Sequence, residues 1–419
     1  MPPPDVGGIR EAGGERREAF SGRREAGGKR REAAGDAFVD IPLSLYLHFP
    51  WCVRKCPYCD FNSHAVRGEL EEDRYIEALI RDLDYELASA PLASRLPPLV
   101  SIFAGGGTPS LFSGRAIGRL LEAVARRLPF ASDIEITLEA NPGTADAVNF
   151  RDYRAAGVNR LSIGVQSLDD AQLKQLGRIH GRAEAVAAYE TARRAGFDNI
   201  NLDLMYALPR QTAAEAEADL RAACALAPEH LSYYQLTLEP NTEFAARPPP
   251  LPDDEAAWNM QLAGQALLAD QGYAQYEVSA YARSARQCRH NRGYWEFGDY
   301  IGIGAGAHGK RSGAGRIVRR ARHKHPRSYL EGAGSAAAIQ EEKTVPPAEL
   351  PFEFAMNALR LNQGFAPALF EARTGLPAVA LERGLAAARA KNLVEEQDGR
   401  VRASAFGRAH LNALLREFL

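Results

Sequence analysis

Residues 43–64 read LSLYLHFPWCVRKCPYCDFNSH, an apolar strand from Leu43 to Phe49 that empties past Pro50 into a loop carrying Cys52, Cys56 and Cys59. These are three of the chain's five cysteines. Thiols spaced C-x3-C-x2-C can close around one metal centre, but they supply only three ligands. A closed structural zinc site takes four, whereas a [4Fe-4S] cluster held by three thiolates leaves one iron open to a ligand from outside the chain. Zinc stays as the alternative, with His48 or His64 as the fourth ligand. A disulfide fits less well, because disulfide frameworks usually use even cysteine numbers in secreted chains.

Outward from this stretch, short apolar runs recur at Leu43–Phe49, Leu99–Ala104, Ile134–Leu138, Arg160–Val165, Asn199–Leu204 and His230–Leu236. Between them the spacing predicts helices over 71–87, 115–127, 145–156, 183–195 and 213–226. Strands alternating with amphipathic helices imply βαβ units around a parallel sheet. Six such units predict an α/β fold, an open, TIM-like (β/α)6 partial barrel.

Ligands of such barrels sit at the carboxyl ends of the strands, so the exits can be read in turn. The first delivers the cysteines. The second delivers Gly105-Gly106-Gly107-Thr108-Pro109, where a backbone edge can approach a ligand closely. The third ends in Glu139-Ala140-Asn141-Pro142, the fourth in Gly164-Val165-Gln166-Ser167, and the fifth in Asp203 followed by Tyr206. Each element alone is ordinary, since a glycine-rich turn is usually a turn and an acid after a strand usually a helix cap. Thiols, glycines, two carboxylates and an amide on one rim point to a single site.

The thiol spacing, with Tyr58 just before the last cysteine, resembles the signature of the radical S-adenosylmethionine (SAM) superfamily, in which the SAM amino and carboxylate groups chelate the fourth iron. Carboxylates such as Glu139 and Asp203 suit the ribose hydroxyls or the ammonium, and a guanidinium such as Arg178 suits the carboxylate. YLHFPWC, GGGTPS, EANPG, GVQS, GRIH, NLDLMYALP and EFAMNALRL together resemble the oxygen-independent coproporphyrinogen III oxidase-like group, from Leu43 to the C-terminus. The resemblance implies SAM contacts at Tyr46, Gly106, Gly107, Thr108, Glu139, Gln166, Arg178 and Asp203, and cluster ligation by Cys52, Cys56 and Cys59.

That group holds oxidases and a heme-chaperone branch. The oxidases carry a fourth cysteine one residue beyond the triad, where this chain has Phe61. His290-Asn291-Arg292-Gly293-Tyr294-Trp295 is similar to the HNxxYW heme-associated motif of the chaperone branch. Both features imply a protein that binds heme and passes it to acceptor hemoproteins such as respiratory ones. Radical decarboxylation of a porphyrinogen is the alternative. On this reading His290 offers an imidazole to heme iron and Tyr294 and Trp295 offer flat apolar area. A packed loop with a hydrogen-bonded histidine is the ordinary alternative. Cys288 and His308 are further candidate ligands, and the glycines of IGIGAGAHG (301–309) suggest close backbone packing beneath a flat ligand or a sharp strand bend.

Over 419 residues, 51 Lys and Arg against 53 Asp and Glu leave a formal charge of −2, which gives no general drive toward nucleic acid. No apolar run reaches membrane-span length. The basic N-terminus lacks the apolar core of a secretory signal, so a reducing cytoplasm is expected. Residues 1–38, with RREA repeated every seven residues, are expected to be a disordered tail. Residues 39–310 are expected to form the partial barrel with its extension, 311–347 a basic linker, and 348–419 a winged-helix-like domain. Monomer or homodimer, and peripheral membrane contact, are left open.

Overall fold

The computed structural model describes residues 41–89 and 96–419, so the tail expected over residues 1–38 lies outside the described residues. Six parallel strands form where the apolar runs stand: β1 (Leu43–Phe49), β2 (Leu99–Gly106), β3 (Phe130–Ala140), β4 (Arg160–Gln166), β5 (Ile200–Tyr206) and β6 (His230–Gln235). Helices α1 (Glu72–Ser89), α2 (Gly114–Ala125), α3 (Thr144–Ala155), α4 (Arg182–Arg194) and α5 (Ala213–Ala225) return the chain between them. Their starts follow local chemistry. Ser113 caps α2 through the Ala116 amide, and Thr212 with Glu215 forms a reciprocal capping box on α5.

All seven residues of β1 are buried, yet its two faces differ. Leu43, Leu45, Leu47 and Phe49 join the apolar core shared with the helices. Ser44, Tyr46 and His48 alternate with them and face the barrel interior, as the two-residue period of a strand requires. Ser101 and Phe103, Glu135, Thr137 and Glu139, Arg160 and Ser162, and Asn201 and Asp203 repeat this on the next four strands. The barrel is therefore greasy outside and largely polar within.

A seventh parallel strand, β7 (Asp299–Ile303), pairs with the free side of β1, one more than the six expected. The glycine run supplies it. A Cβ at Gly302 would stand 1.8 Å from the His308 carbonyl oxygen, and one at Gly304 (φ +106°) 2.4 Å from that of His48. The glycines thus let backbones meet.

Residues 311–347, expected as a linker, instead extend the sheet with antiparallel β8 (His308–Gly313), β9 (Arg316–Arg322) and β10 (Ile339–Thr344). Several of their basic side chains, and neighbouring Lys310, are held in buried ion pairs. Lys310 meets Asp299 at 2.8 Å, Arg322 meets Asp82 and Glu86 at 2.9 and 2.7 Å, and Arg320 meets Glu86 at 2.7 Å. The order is β10-β9-β8-β7-β1-β2-β3-β4-β5-β6, continued by short strands Ala280–Ala282 and Ala274–Gln275.

The C-terminal region has helices Leu350–Ala358, Pro367–Thr374 and Glu382–Ala390, then a hairpin of Val394–Gln397 and Arg400–Ala403. Phe354, Phe365, Phe370 and Leu385 form its core, which Phe297 and Ile317 join from the sheet extension. Among the described residues no helix is long and apolar enough to cross a membrane.

Candidate functional site

The cysteine loop is positioned from three sides. The Gly107 and Thr108 amides donate to the Phe49 and Trp51 carbonyls at 2.7 Å each, fixing the glycine run against the loop's entry. A Cβ at Gly107 would lie 2.5 Å from the Trp51 oxygen, so glycine is what the approach demands. The Phe244 amide donates to the Pro57 carbonyl at 3.0 Å, and Tyr58 packs against Phe244 and the Leu176–Met205–Leu208–Leu236 cluster. Asn62 donates to the carbonyls of Ala305 (2.9 Å) and Lys324 (2.8 Å).

Within that frame Cys52, Cys56 and Cys59 are half-buried electrostatic neighbours. Burial pushes the Cys52 thiol up and the Cys59 thiol up to about 11. Ser63 Oγ lies 3.9 Å from Cys59 Sγ. Neither nearby histidine supplies a fourth ligand. His48 has Nδ1 3.1 Å from the Tyr46 hydroxyl and Nε2 2.9 Å from the Asn62 carbonyl, and burial lowers its pKa to about 4. His64 turns toward His325, with ring centroids 5.6 Å apart. Among the described residues no three His, Cys, Asp or Glu side chains gather as a single-ion site. Three thiols without a fourth protein ligand fit the donor set of a cluster with an open iron.

The expected SAM-contact residues lie on or just beneath this rim. Arg178 spans it, donating to Cys56 Sγ (3.4 Å), Asn141 Oδ1 (2.7 Å) and the Gly164 carbonyl (2.8 Å). Asn141 in turn donates to Thr108 Oγ1 at 2.8 Å. The Gly106 amide donates to Glu139 Oε2 at 3.0 Å. Burial, then the nearby Asp203 charge, pushes Glu139 up to about 7. Asp203 accepts from Asn201 (2.9 Å) and Ser162 (3.1 Å). Gln166 takes a left-handed turn at φ +69°, and its Oε1 accepts from Tyr234 at 2.7 Å. Tyr46 sits one layer below, over His48.

His290, Tyr294 and Trp295 are not on this rim. They belong to a short helix, α6 (Arg289–Trp295), packed toward the opposite end of the strands, beside Ser44 and Ser101 near the starts of β1 and β2 and Glu135 midway along β3. His290 is 1% exposed and both ring nitrogens are engaged, Nδ1 with Ser101 Oγ and Nε2 with the Tyr294 hydroxyl, at 2.9 Å each. In this conformation it presents no free nitrogen to an incoming iron. Tyr294 packs edge-on against Tyr300 at 4.5 Å, and the Arg360 guanidinium lies 4.3 Å from the Trp295 ring centroid. The Cys288 thiol is fully buried 3.5 Å from Glu135 Oε1, and burial pushes it up to about 12. His308 is exposed at the start of β8.

Reading strand exits missed Asn62 and Tyr234. Tyr234 lies at the exit of β6, so the same rule carried one strand further finds it. Asn62 carries no local signal, because its partners stand 243 and 262 residues away.

Residues 46–223 match the family model of the radical SAM superfamily, and residues 345–410 that of the HemN C-terminal domain. The heme chaperone HemW of Escherichia coli (strain K12) is 50% identical over 379 residues, covering 90% of this chain and 98% of that one. The heme chaperone HemW of Haemophilus influenzae is 48% identical with the same coverage. Among solved structures, coproporphyrinogen III oxidase (HemN) from Escherichia coli superposes with a TM-score of 0.75 over 90% of each chain at 24% identity, a likeness of fold. On that identity across nearly its whole length, this chain belongs to the HemW family of radical SAM proteins.

Proposed function

We propose that this chain is a heme chaperone that binds heme and passes it to acceptor hemoproteins in the cytoplasm, with respiratory hemoproteins as the acceptor class. Near-50% identity over 90% of the chain to proteins named as heme chaperones carries this reading. Phe61, standing where the oxidases carry a fourth cysteine, supports it.

Cys52, Cys56 and Cys59 would hold a [4Fe-4S] cluster, and the thiols that burial keeps protonated must lose their protons as iron enters. When bound, the cluster supplies an electron and an open coordination position to SAM. Arg178 pairs with the SAM carboxylate, to which its guanidinium offers a planar fork. Glu139 and Asp203 accept from the ammonium and ribose hydroxyls. Gly106 and Gly107 offer backbone contact, Thr108 and Gln166 hydrogen-bonding edges, and Tyr46 shapes the floor beneath them. Heme would engage His290, Tyr294 and Trp295, and His290 must first release Ser101 or Tyr294.

The test is anaerobic reconstitution followed by two parallel incubations. Heme is expected to give a Soret band and to move to an apo-hemoprotein added in excess. Coproporphyrinogen III with SAM and reductant is expected to remain unconverted. Protoporphyrinogen formed with stoichiometric 5′-deoxyadenosine would overturn the proposal in favour of the oxidase.

A further inference from the structure

Arg178 makes a contact that pairing with SAM does not use. Its Nη1 donates to Cys56 Sγ at 3.4 Å, and Cys56 is one of the three thiols proposed to hold the cluster. The turn that brings it there depends on a glycine. Gly177 precedes it at φ +68°, and a Cβ at that position would stand 2.9 Å from Pro57 Cδ, so the backbone before Arg178 lies directly against the cysteine loop.

The other end of the guanidinium is anchored. Nη2 donates to Asn141 Oδ1 (2.7 Å), the Gly164 carbonyl (2.8 Å) and His180 Nδ1 (3.4 Å). Donor capacity fixes the state of that histidine. Arginine nitrogens only donate, so Nδ1 accepts, and Nε2 carries the hydrogen that it donates to the Val165 carbonyl at 3.2 Å. This requires a neutral His180, and burial, then the Arg178 charge, lower its pKa to about 4. Three acceptors on Nη2 aim Nη1 at the sulfur, while Nε, which has no hydrogen-bond partner, is left for a SAM carboxylate.

We infer that Arg178, with His180 as its positioning residue, tunes the cluster as well as receiving SAM, its hydrogen bond to the Cys56 sulfur raising the reduction potential. The inference rests on the proposed ligation by Cys52, Cys56 and Cys59 and needs nothing of heme. Hydrogen bonds to the ligand sulfurs and net charge set the potential of such clusters. A guanidinium is always charged, and in a partly buried place that charge is weakly screened. An electron added to the cluster makes the sulfur a better acceptor and meets this fixed positive charge, so the reduced form gains more than the oxidised one.

The experiment is a redox titration of the full-length reconstituted protein without SAM or heme, following the reduced cluster by its EPR signal. Arg178→Gln is expected to make reduction about tenfold less favourable, which moves the midpoint about 59 mV more negative for one electron. His180→Leu is expected to move it the same way by less. His180→Gln, whose amide can accept from Arg178 and donate to Val165, keeps the wild-type midpoint. Arg54→Gln, which removes an exposed charge from the same loop, also keeps it. An unchanged midpoint in Arg178→Gln overturns the inference and leaves the proposed function standing. An equal shift in Arg54→Gln overturns it too, since the effect would then be one of general charge. Where Arg178→Gln fails to hold a full cluster, His180→Leu decides, and a midpoint equal to the wild type overturns the inference. A wild-type protein that holds no cluster removes the ligand set and the inference together, whereas failure to bind heme removes the functional reading alone.

Discussion

The two ends of this barrel are built on opposite terms. At the rim, groups that can serve a ligand converge from different loops: three thiols, an arginine spanning the opening, and two carboxylates, one of them held up to about 7. At the floor, α6 and its surroundings are bound to one another, with His290 partnered on both nitrogens and Cys288 sealed against Glu135. A ligand at the rim would meet groups gathered from several strand exits, whereas a ligand at the floor would first have to break the protein's own contacts around His290.

The sharpest test of that contrast is Cys56→Ala. With two of three thiolates left, the brown cluster chromophore and its iron are expected to be lost entirely, while the thermal midpoint of the apoprotein stays within a few degrees. Retention of four irons per chain would dissolve the rim as described. His290→Ala should behave in the reverse way. It removes two buried hydrogen bonds and leaves the Tyr294 hydroxyl without its partner, while Ser101 keeps its bond to Ser44 Oγ, so denaturant unfolding of the heme-free protein is expected to show a loss of about 2–4 kcal/mol. Unchanged stability without heme would mean that the floor does not depend on this side chain.

The smallest effect concerns Glu139. Burial holds its folded pKa at about 7, above the ordinary 4.5, so the folded state keeps a proton that the unfolded chain releases. The stabilisation from this group is therefore complete below about 4.5 and lost as pH rises through about 7. The stability of the apoprotein relative to Glu139→Gln, measured by urea unfolding, should decline between pH 5 and pH 8 and level off above. A difference that grows over this window would contradict the assigned burial.

What could be read in the chain was what is encoded locally. β1 stands at Leu43–Phe49 because apolar residues recur at every second position up to Pro50, and α2 and α5 start beside Ser113 and Thr212 because those side chains cap them. The rim followed from one rule, that exits of parallel strands carry the ligand groups. What could not be read depends on distant partners. The residues from Lys310 to Arg322 look like a solvated loop until Asp82, Glu86 and Asp299 are brought beside them. Likewise Ser162, Asn201 and His230 sit in runs that read as ordinary core strands. Only the register of β4, β5 and β6 turns them into a connected interior.

Asn62 has a consequence for how the protein comes into being. It grips backbone made 243 and 262 residues later, and the Gly304 amide lies 3.4 Å from Asp82 across 222 residues. On the ribosome the thiol loop therefore emerges long before the backbone that shapes it. Iron delivered to the nascent chain would meet three unanchored cysteines, so maturation of this centre belongs after synthesis has passed Lys324, when the last strands have closed against the first.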